Sequence, residues 1–349
     1  MGLRYIGSKA RVAAEILDVV GEPPDGACRF LDAFCGTGAV AEVAAARGWP
    51  VHLNDALASS VTMATARLLG ADQVPMVATG GYAATIAALN ALTPIEGFFT
   101  REYSPLSRTV TGTERRYFTE ANTGRIDAIR LRIREFHFSH LINDLEHELL
   151  IADLIVAANH VANIAGTYGC FLAEWSSSAR RELLLRPRML PEWGGTVSTT
   201  VQDVRALVYR PGDVVYFDPP YTKRQYAAYY HLLETLAAGD APAVTGVTGL
   251  RPWRHLASEF SYKSRALAAL ERLITDCPAR RVLLSYSSEG HVSRHDLEAC
   301  LSRLGGELRV HDLGRIGRYR PNVVATQRAE VHEYLFELRR PADTLRDAA

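Results

Sequence analysis

Lysine is nearly missing from this chain. Only Lys9, Lys223 and Lys263 occur among 349 residues, while arginine is abundant. Each surviving lysine is therefore worth a specific explanation. The formal net charge is zero, which argues against a protein that simply coats a polyanion. No stretch of about 18 apolar residues runs free of charge, so no transmembrane helix is expected. The segment Met1 to Arg11 carries charge but leads into no apolar signal core, and a cytoplasmic protein is expected. The five cysteines, Cys28, Cys35, Cys170, Cys277 and Cys300, are scattered without zinc-knuckle spacing, so free thiols in a reducing compartment are expected. Internal repeats and low-complexity tracts are also missing.

What is present is a chain long enough for one large α/β domain carrying an extra lobe. Hydrophobic residues make up 48% and charged residues 22%, the balance of a globular protein with a sizeable core. The charge is unevenly spread. Between Arg101 and Arg134, eight arginines stand against four acids, and a second basic stretch runs from Arg303 to Arg320. Local patches on a neutral chain suit a binder that grips phosphates on one face, and equally suit solvated helix faces.

Residues 11–20 carry Val12, Ile16, Val19 and Val20 at helical spacing. The run Glu22-Pro23-Pro24-Asp25-Gly26 breaks that helix. Cys28 to Phe34 reads as a buried strand, Gly36-Thr37-Gly38 as a tight turn and Ala39 to Arg47 as an alanine-rich helix ended by Gly48. Val51 to Asp55 reads as a second strand. Strand, glycine turn, helix and strand form a βαβ unit, which predicts a doubly wound, mostly parallel sheet. The alternation stops from residue 76 to 195, where Ile126 to Val161 reads as mostly helix. It resumes with strands at Val214–Phe217, Arg281–Tyr286 and Val331–Leu338, and Gly239 to Leu250 reads as a surface loop. The predicted organisation is an α/β domain from 1–75 and 196–349 with an inserted, mainly helical lobe at 76–195.

Two constellations carry chemistry. The first is Asp32-Ala33-Phe34-Cys35-Gly36-Thr37-Gly38, where glycines at a strand end let a ligand approach the backbone and the next helix offers its N-terminus. It lacks the third glycine of a dinucleotide fingerprint, because Ala41 stands there. Asp55 ends the second strand, 19 residues after Gly36, where a carboxylate can accept both hydroxyls of a ribose. The second is Asp218-Pro219-Pro220-Tyr221, directly after the apolar strand Val214 to Phe217. Two prolines stiffen the turn and remove two donors. The strand end presents a carboxylate, the carbonyl of Pro219 and an aromatic face. An exocyclic amine on a nucleobase is a poor nucleophile because its lone pair is delocalised into the ring. Asp218 and the Pro219 carbonyl can each accept one of its N–H bonds and aim the lone pair at an electrophilic methyl group. Tyr221 can stack on a base swung out of a duplex.

The combination resembles the Dam-type DNA adenine methyltransferases, the alpha-ordered amino-methyltransferases. Arg4-Tyr5-Ile6-Gly7-Ser8-Lys9 resembles their N-terminal motif, Asp32 to Gly38 their cofactor motif, Asn54-Asp55 their ribose-binding position, Gln202-Asp203-Val204 the site of the cofactor adenine and Asp218 to Tyr221 the catalytic motif. Thr222-Lys223-Arg224-Gln225-Tyr226 with Tyr230-His231 and Glu234 resembles a restriction-modification branch, as does Arg116-Tyr117-Phe118-Thr119 with Asn122, Gly124, Ile126, Asp127 and Arg130. The resemblance covers both ends of the α/β domain, about 200 residues.

The resemblance implies a Rossmann-like fold that binds S-adenosylmethionine, releases S-adenosylhomocysteine and requires no metal. It implies that Lys9 pairs with the carboxylate of the cofactor's methionine, that Tyr5 and Gly7 line the same end and that Gly36 and Gly38 pass close to it. It also implies that Asp32 belongs to the cofactor motif, that Phe34 packs on the cofactor and that Asp203 accepts from its adenine amine. Asp203 could instead cap the following turn. The lobe would read duplex DNA. Arg115, Arg116, Arg125 and Arg130 are candidates for phosphate contacts, joined by Arg251, Arg254 and Lys263 after the catalytic motif and by Arg315, Arg318, Tyr319 and Arg320 in a loop before the last strand. Asn122 and Asn163 could read base edges. Tyr168, Phe171 and Trp175 fit helix packing better than a stacking platform. His291 and His295 are expected at the surface and not at a metal.

The expected activity is methylation of adenine N6 in duplex DNA by base flipping, within a restriction-modification system that can include a cognate endonuclease. Cytosine N4 uses the same amine chemistry, although a serine is more usual at the Asp218 position. RNA is a further substrate class, and a non-catalytic binding module is the alternative outside the enzymes. A glutamine-modifying methyltransferase usually shows Asn where Asp218 stands, and a NAD-dependent dehydrogenase has no use for Asp-Pro-Pro-Tyr.

Overall fold

The computed structural model describes residues 6–24, 28–192, 194–315 and 331–341. In chain order the strands are β1 (Phe30–Asp32), β2 (Val51–Asp55), β3 (Val197–Val201), β4 (Val214–Phe217), β5 (Arg281–Ser287), β6 (Glu307–Arg315) and β7 (His332–Arg339). The helices are α1 (Ala13–Val20), α2 (Ala39–Ala46), α3 (Ala58–Leu68), α4 (Tyr82–Asn90), α5 (Phe98–Tyr103), α6 (Ser107–Thr111), α7 (Glu120–Phe138), α8 (Asp144–Val161), α9 (Tyr226–Tyr229), α10 (His231–Ala238), α11 (Ala266–Asp276) and α12 (Arg294–Ser302). They fall into two compact units: one contains residues 9–56, 196–225 and 258–349, the other 1–8, 57–195 and 226–257.

The first unit is built on a seven-stranded sheet of order β3-β2-β1-β4-β5-β7-β6. Strands β1 to β5 run parallel, and β7 is antiparallel to both β5 and β6. This is the doubly wound, mostly parallel sheet expected from the βαβ start. The central strands β1 and β4 are buried along their length because helices cover both faces. On one face Leu31, Val215, Phe217, Val282, Leu284, Phe336 and Leu338 pack with Leu270, Leu273 and Ile274 of α11 and Leu297 and Leu301 of α12. Each such side chain contributes roughly 1.5–3 kcal/mol on burial. Arg281, on the opposite face, donates to the carbonyls of Val19 and Val20 at 2.6 Å and ties the end of α1 there.

Two strands escaped the sequence reading, and both are edges. Strand β3 (VSTTV) pairs only with β2 and is half solvated, with Val201 52% exposed, so it shows no apolar alternation. Among the described residues strand β6 pairs only with β7, and it is rich in charge. The residues expected to form a loop before the last strand therefore begin inside a strand, since Arg315 pairs with His332.

The second unit is helical, and the whole of segment 76–195 falls within it. Helix α8 lies at its centre and is buried nearly all round. Leu149, Leu150, Leu154 and Ile155 of α8 share one core with Met63 of α3, Phe99 and Tyr103 of α5, Ile126, Ile129 and Ile133 of α7, and Leu232, Leu233 and Leu236 of α10. A capping box between Asn143 and Glu146 starts α8, which divides the long helical stretch expected at 126–161 into two helices. No helix among the described residues is long and apolar enough to cross a membrane.

Candidate active site

The strand order reverses between β1 and β4, and in such sheets ligands bind outside the carboxyl ends of the strands at that point. Asp32 ends β1 there and Asp218 follows β4. Between β1 and α2 the chain turns sharply. Gly36 and Gly38 both adopt left-handed φ values, 51° and 76°, which a side chain would strain. The Gly36 N–H donates to Asp55 at 3.1 Å, and the Cys35 N–H donates to the Asn54 carbonyl at 2.8 Å. Asn54 is buried; its amide donates to the carbonyls of Ala33 and Gln202 and accepts from Thr200. The carboxyl ends of β1, β2 and β3 are thereby fixed together.

Lys9, just before α1, has a side chain only 4% exposed. Its ammonium donates to Asp218 at 2.7 Å, lies 3.3 Å from Glu333 on β7 and sits over the Tyr221 ring, 5.1 Å from its centroid. Sheet register explains the gathering. Asp32 pairs with Tyr216 and side chains alternate, so Asp32, Tyr216 and Asp218 share one face, as do Ser285, Ser287 and Glu333 across β5 and β7. Burial pushes the Asp218 carboxyl up, while Lys9 draws it back down. Asp32 is raised well above the ordinary carboxylate value by burial and then by the charges of Asp218 and Asp55, and its Oδ1 has no hydrogen-bond partner among the described residues. Burial raises Glu333 to about 7 against the pull of Lys9. For Lys9, burial favours the neutral amine, but Asp218 and Glu333 more than offset it and hold the ammonium above its ordinary range.

Tyr221 contacts the sheet core, edge-on to Tyr286 at 5.8 Å, and its hydroxyl is raised to about 12 by burial. Phe34 is half-buried and meets Phe217 and Phe260 edge-on. Asp203 is exposed; it caps the short turn at Val204–Ala206 and chelates Arg205, which lowers its pKa. His291, expected at the surface, is half-buried and clasps Tyr221 and Ser261 through its N–H and ring nitrogen. Tyr5, Arg318, Tyr319 and Arg320 lie outside the described residues. Glu333 was missed in the sequence. Its signal is a carboxylate inside the final strand, where both faces are buried.

In the helical unit, the Ile6 N–H donates to the Tyr230 hydroxyl at 2.7 Å. Gly7 has φ 79°, and a Cβ there would stand 2.8 Å from the Tyr226 hydroxyl. The candidate phosphate contacts divide sharply. Arg115 is 2% exposed, pairs with Glu102 at 2.6 Å and donates to the carbonyls of Gly246 and Val247, bracing that loop. Arg125 donates to Leu183 and Asn90 and pairs with Glu182. Arg130 and Arg251 both turn to Asp240. Arg116 pairs with Glu114 at 2.6 Å but keeps a third of its side chain in solvent. In the sheet unit Lys263 is exposed. Asn122 and Asn163 are buried and satisfied by backbone groups. Asp127 accepts from the N–H groups of Gly97, Phe99 and Thr100 and so caps α5. Glu234 caps α3 through Ala58 and Ser59. His231 is buried against the Tyr168 carbonyl, and burial lowers it to about 3. Tyr168 is core and Phe171 packs against it, but Tyr168, Phe171 and Trp175 lie in a segment without helix, so the expected helical stripe is not what buries them.

A Rossmann-like sheet with a glycine turn after β1, a carboxylate ending β2 and Asp-Pro-Pro-Tyr after β4 defines the fold of S-adenosylmethionine-dependent methyltransferases. Residues 5–299 match the D12 class N6 adenine-specific DNA methyltransferases, and the chain belongs to that family. It is 34% identical to the type II methyltransferase M.FokI of Planomicrobium okeanokoites, over 97% of this chain and 53% of that protein. It is 31% identical to the modification methylase StsI of Streptococcus sanguinis, over 97% of this chain and 52% of that protein. It is 32% identical to the type II methyltransferase M.NlaIII of Neisseria lactamica, over 87% of this chain and 89% of that protein. The chain thus spans about half the length of the first two relatives.

Proposed function

We propose that the chain transfers a methyl group from S-adenosylmethionine to N6 of adenine in duplex DNA, as the modification enzyme of a restriction-modification system. The observation that carries this reading is Asp218-Pro219-Pro220-Tyr221 at the carboxyl end of β4, with the Asp218 carboxylate held by a buried lysine. The donor set suits the cofactor. Asp55 stands at the end of β2 for a ribose, Gly36 and Gly38 leave the backbone bare, and Asp32 keeps a buried oxygen without a partner among the described residues. Bound there, S-adenosylmethionine supplies an electrophilic methyl group. Asp203 would take the adenine amine of the cofactor at the cost of its clasp on Arg205. Tyr5 and Gly7 complete the expected cofactor set.

Asp218 and the Pro219 carbonyl accept the two N–H bonds of the target amine, which localises its lone pair and aims it in line for transfer. Tyr221 stacks on the flipped base. No covalent bond between enzyme and base is required, and no metal is invoked. The segment 76–195 serves target recognition. Lys263, exposed, reaches a phosphate most directly; Arg116 is partly in solvent but would release Glu114 or the Ala173 carbonyl, and Arg115, Arg125, Arg130 and Arg251 would have to exchange more deeply held internal partners. The test is transfer of a labelled methyl group from S-adenosylmethionine to unmethylated duplex DNA, with Asp218→Ala and an RNA substrate alongside. Label in DNA that vanishes in the variant supports the reading. Label confined to RNA, or none, overturns it.

A further inference from the structure

We infer that Glu333 is a positioning residue for methyl transfer: its ionised carboxylate shares the Lys9 ammonium with Asp218 and so leaves Asp218 able to accept from the target amine. The inference rests on the proposed role of Asp218.

Glu333 is 1% exposed and lies on β7, outside the residues 5–299 that match the family. Its Oε1 is 3.3 Å from Lys9 Nζ and takes no well-formed hydrogen bond from any described residue. Buried carboxylates are normally paired or hydrogen-bonded. This one has a cation in reach, but the cation is closer to Asp218, at 2.7 Å. Lys9 thus stands between two acceptors of unequal distance. Among the described residues the titratable groups acting on the pair are Asp32 from β1, Tyr216 and Asp218 from β4 and Tyr221 after it, with Asp55 at the end of β2 acting on Asp32 and Arg224 on Tyr221. Ser285 and Ser287 of β5 add only hydroxyls, both buried. Among the described residues Lys9 is the cation within ion-pair distance of these carboxylates.

The balance of that sharing controls Asp218. A neutral Glu333 gives up its claim, and the ammonium settles wholly on Asp218, occupying an acceptor oxygen and weakening the carboxylate as a hydrogen-bond acceptor. An ionised Glu333 draws the ammonium back. Asp218 then keeps its charge and its lone pairs for the amine. The raised titration of Glu333, about 7, places the changeover in the working pH range.

The experiment is the single-turnover rate of labelled methyl incorporation into unmethylated DNA, from pH 5.5 to 8.5. In the parent protein the rate is expected to rise through about pH 7. Glu333→Gln, fixed in the neutral form, is expected to lose that rise and to run about tenfold slower at pH 8, with S-adenosylmethionine affinity within twofold of the parent. Glu333→Asp keeps the charge and is expected to keep a pH-dependent rise, displaced from 7. Parental rate and profile in Glu333→Gln, or a flat profile in Glu333→Asp, would overturn the inference. Asp218→Ala separates the two claims: inactive Asp218→Ala beside parental Glu333→Gln removes only the role of Glu333, whereas active Asp218→Ala removes the role of Asp218 itself.

Discussion

A carboxyl group that titrates at about 7 when folded, against an ordinary 4.5, must leave a trace in folding stability, and Glu333 is such a group. Burial is the chief cause: the ionised form loses solvent, and the Lys9 ammonium recovers only part of that loss. The sign follows from proton linkage. Between pH 4.5 and 7 the folded chain holds a proton on Glu333 that the unfolded chain has released, so stability falls as pH rises across that window and levels off above it. The window spans about 2.5 pH units, and at roughly 1.4 kcal/mol per unit the total is about 3.5 kcal/mol. Glu333→Gln removes the titration and keeps the shape. Asp32 and Asp218 are also raised and remain in both proteins, so the difference between the two reports Glu333 together with the resettling of Lys9 on Asp218. Urea denaturation followed by circular dichroism at intervals from pH 5 to 8 measures it. Between pH 5 and 8 the variant should gain on the parent by roughly 3 kcal/mol, the part of the window that the scan covers. A stability difference that stays constant with pH would refute the reasoning, because the carboxylate would then titrate alike in both states.

The remaining predictions concern the other side chains of the two units. Asp218→Ala should lower single-turnover methylation at least a hundredfold while leaving S-adenosylmethionine binding by calorimetry intact. Lys9→Ala leaves two buried carboxylates without their cation and should destabilise the fold by about 3–5 kcal/mol near neutrality in denaturant titrations, a penalty that shrinks at low pH as they take up protons. Its S-adenosylmethionine affinity should also fall. Arg115→Ala should lower stability by several kcal/mol because Glu102 and two loop carbonyls lose a buried partner, whereas Arg116→Ala, on a solvent-screened pair, should leave stability close to the parent's. If Arg116 meets a phosphate, its variant weakens DNA binding and reduces the salt slope by about one.

How much of this was legible in the sequence depended on whether neighbours in space were neighbours in the chain. Asp218 to Tyr221 is contiguous, and the strand before it is buried on both faces, so a run of apolar residues announced both. The same holds for the turn at Gly36 and Gly38. Lys9 stood out through the scarcity of lysine, but its partners could not be read, because Asp218 lies 209 residues away. Glu333 was invisible for the same reason, although an acid within a two-sided buried strand demands a cation. Its strand neighbour Glu337 shows the same demand, met by Arg281 at 2.8 Å. Edge strands β3 and β6 were missed because solvation on one side erases the apolar pattern. Arginine gave the weakest signal. Charge alone does not separate a phosphate contact from a brace, and Arg115, with its buried guanidinium turned onto carbonyls, shows how a basic cluster can be structural.

The most direct measurement of the central claim is nucleoside mass spectrometry. The protein is incubated with S-adenosylmethionine and unmethylated genomic DNA, the DNA is digested, and the nucleosides are separated. The account predicts N6-methyladenine, absent when Asp218→Ala replaces the parent protein. N4-methylcytosine in its place would contradict the target base while keeping the amine chemistry, and no methylated nucleoside at all would contradict the activity.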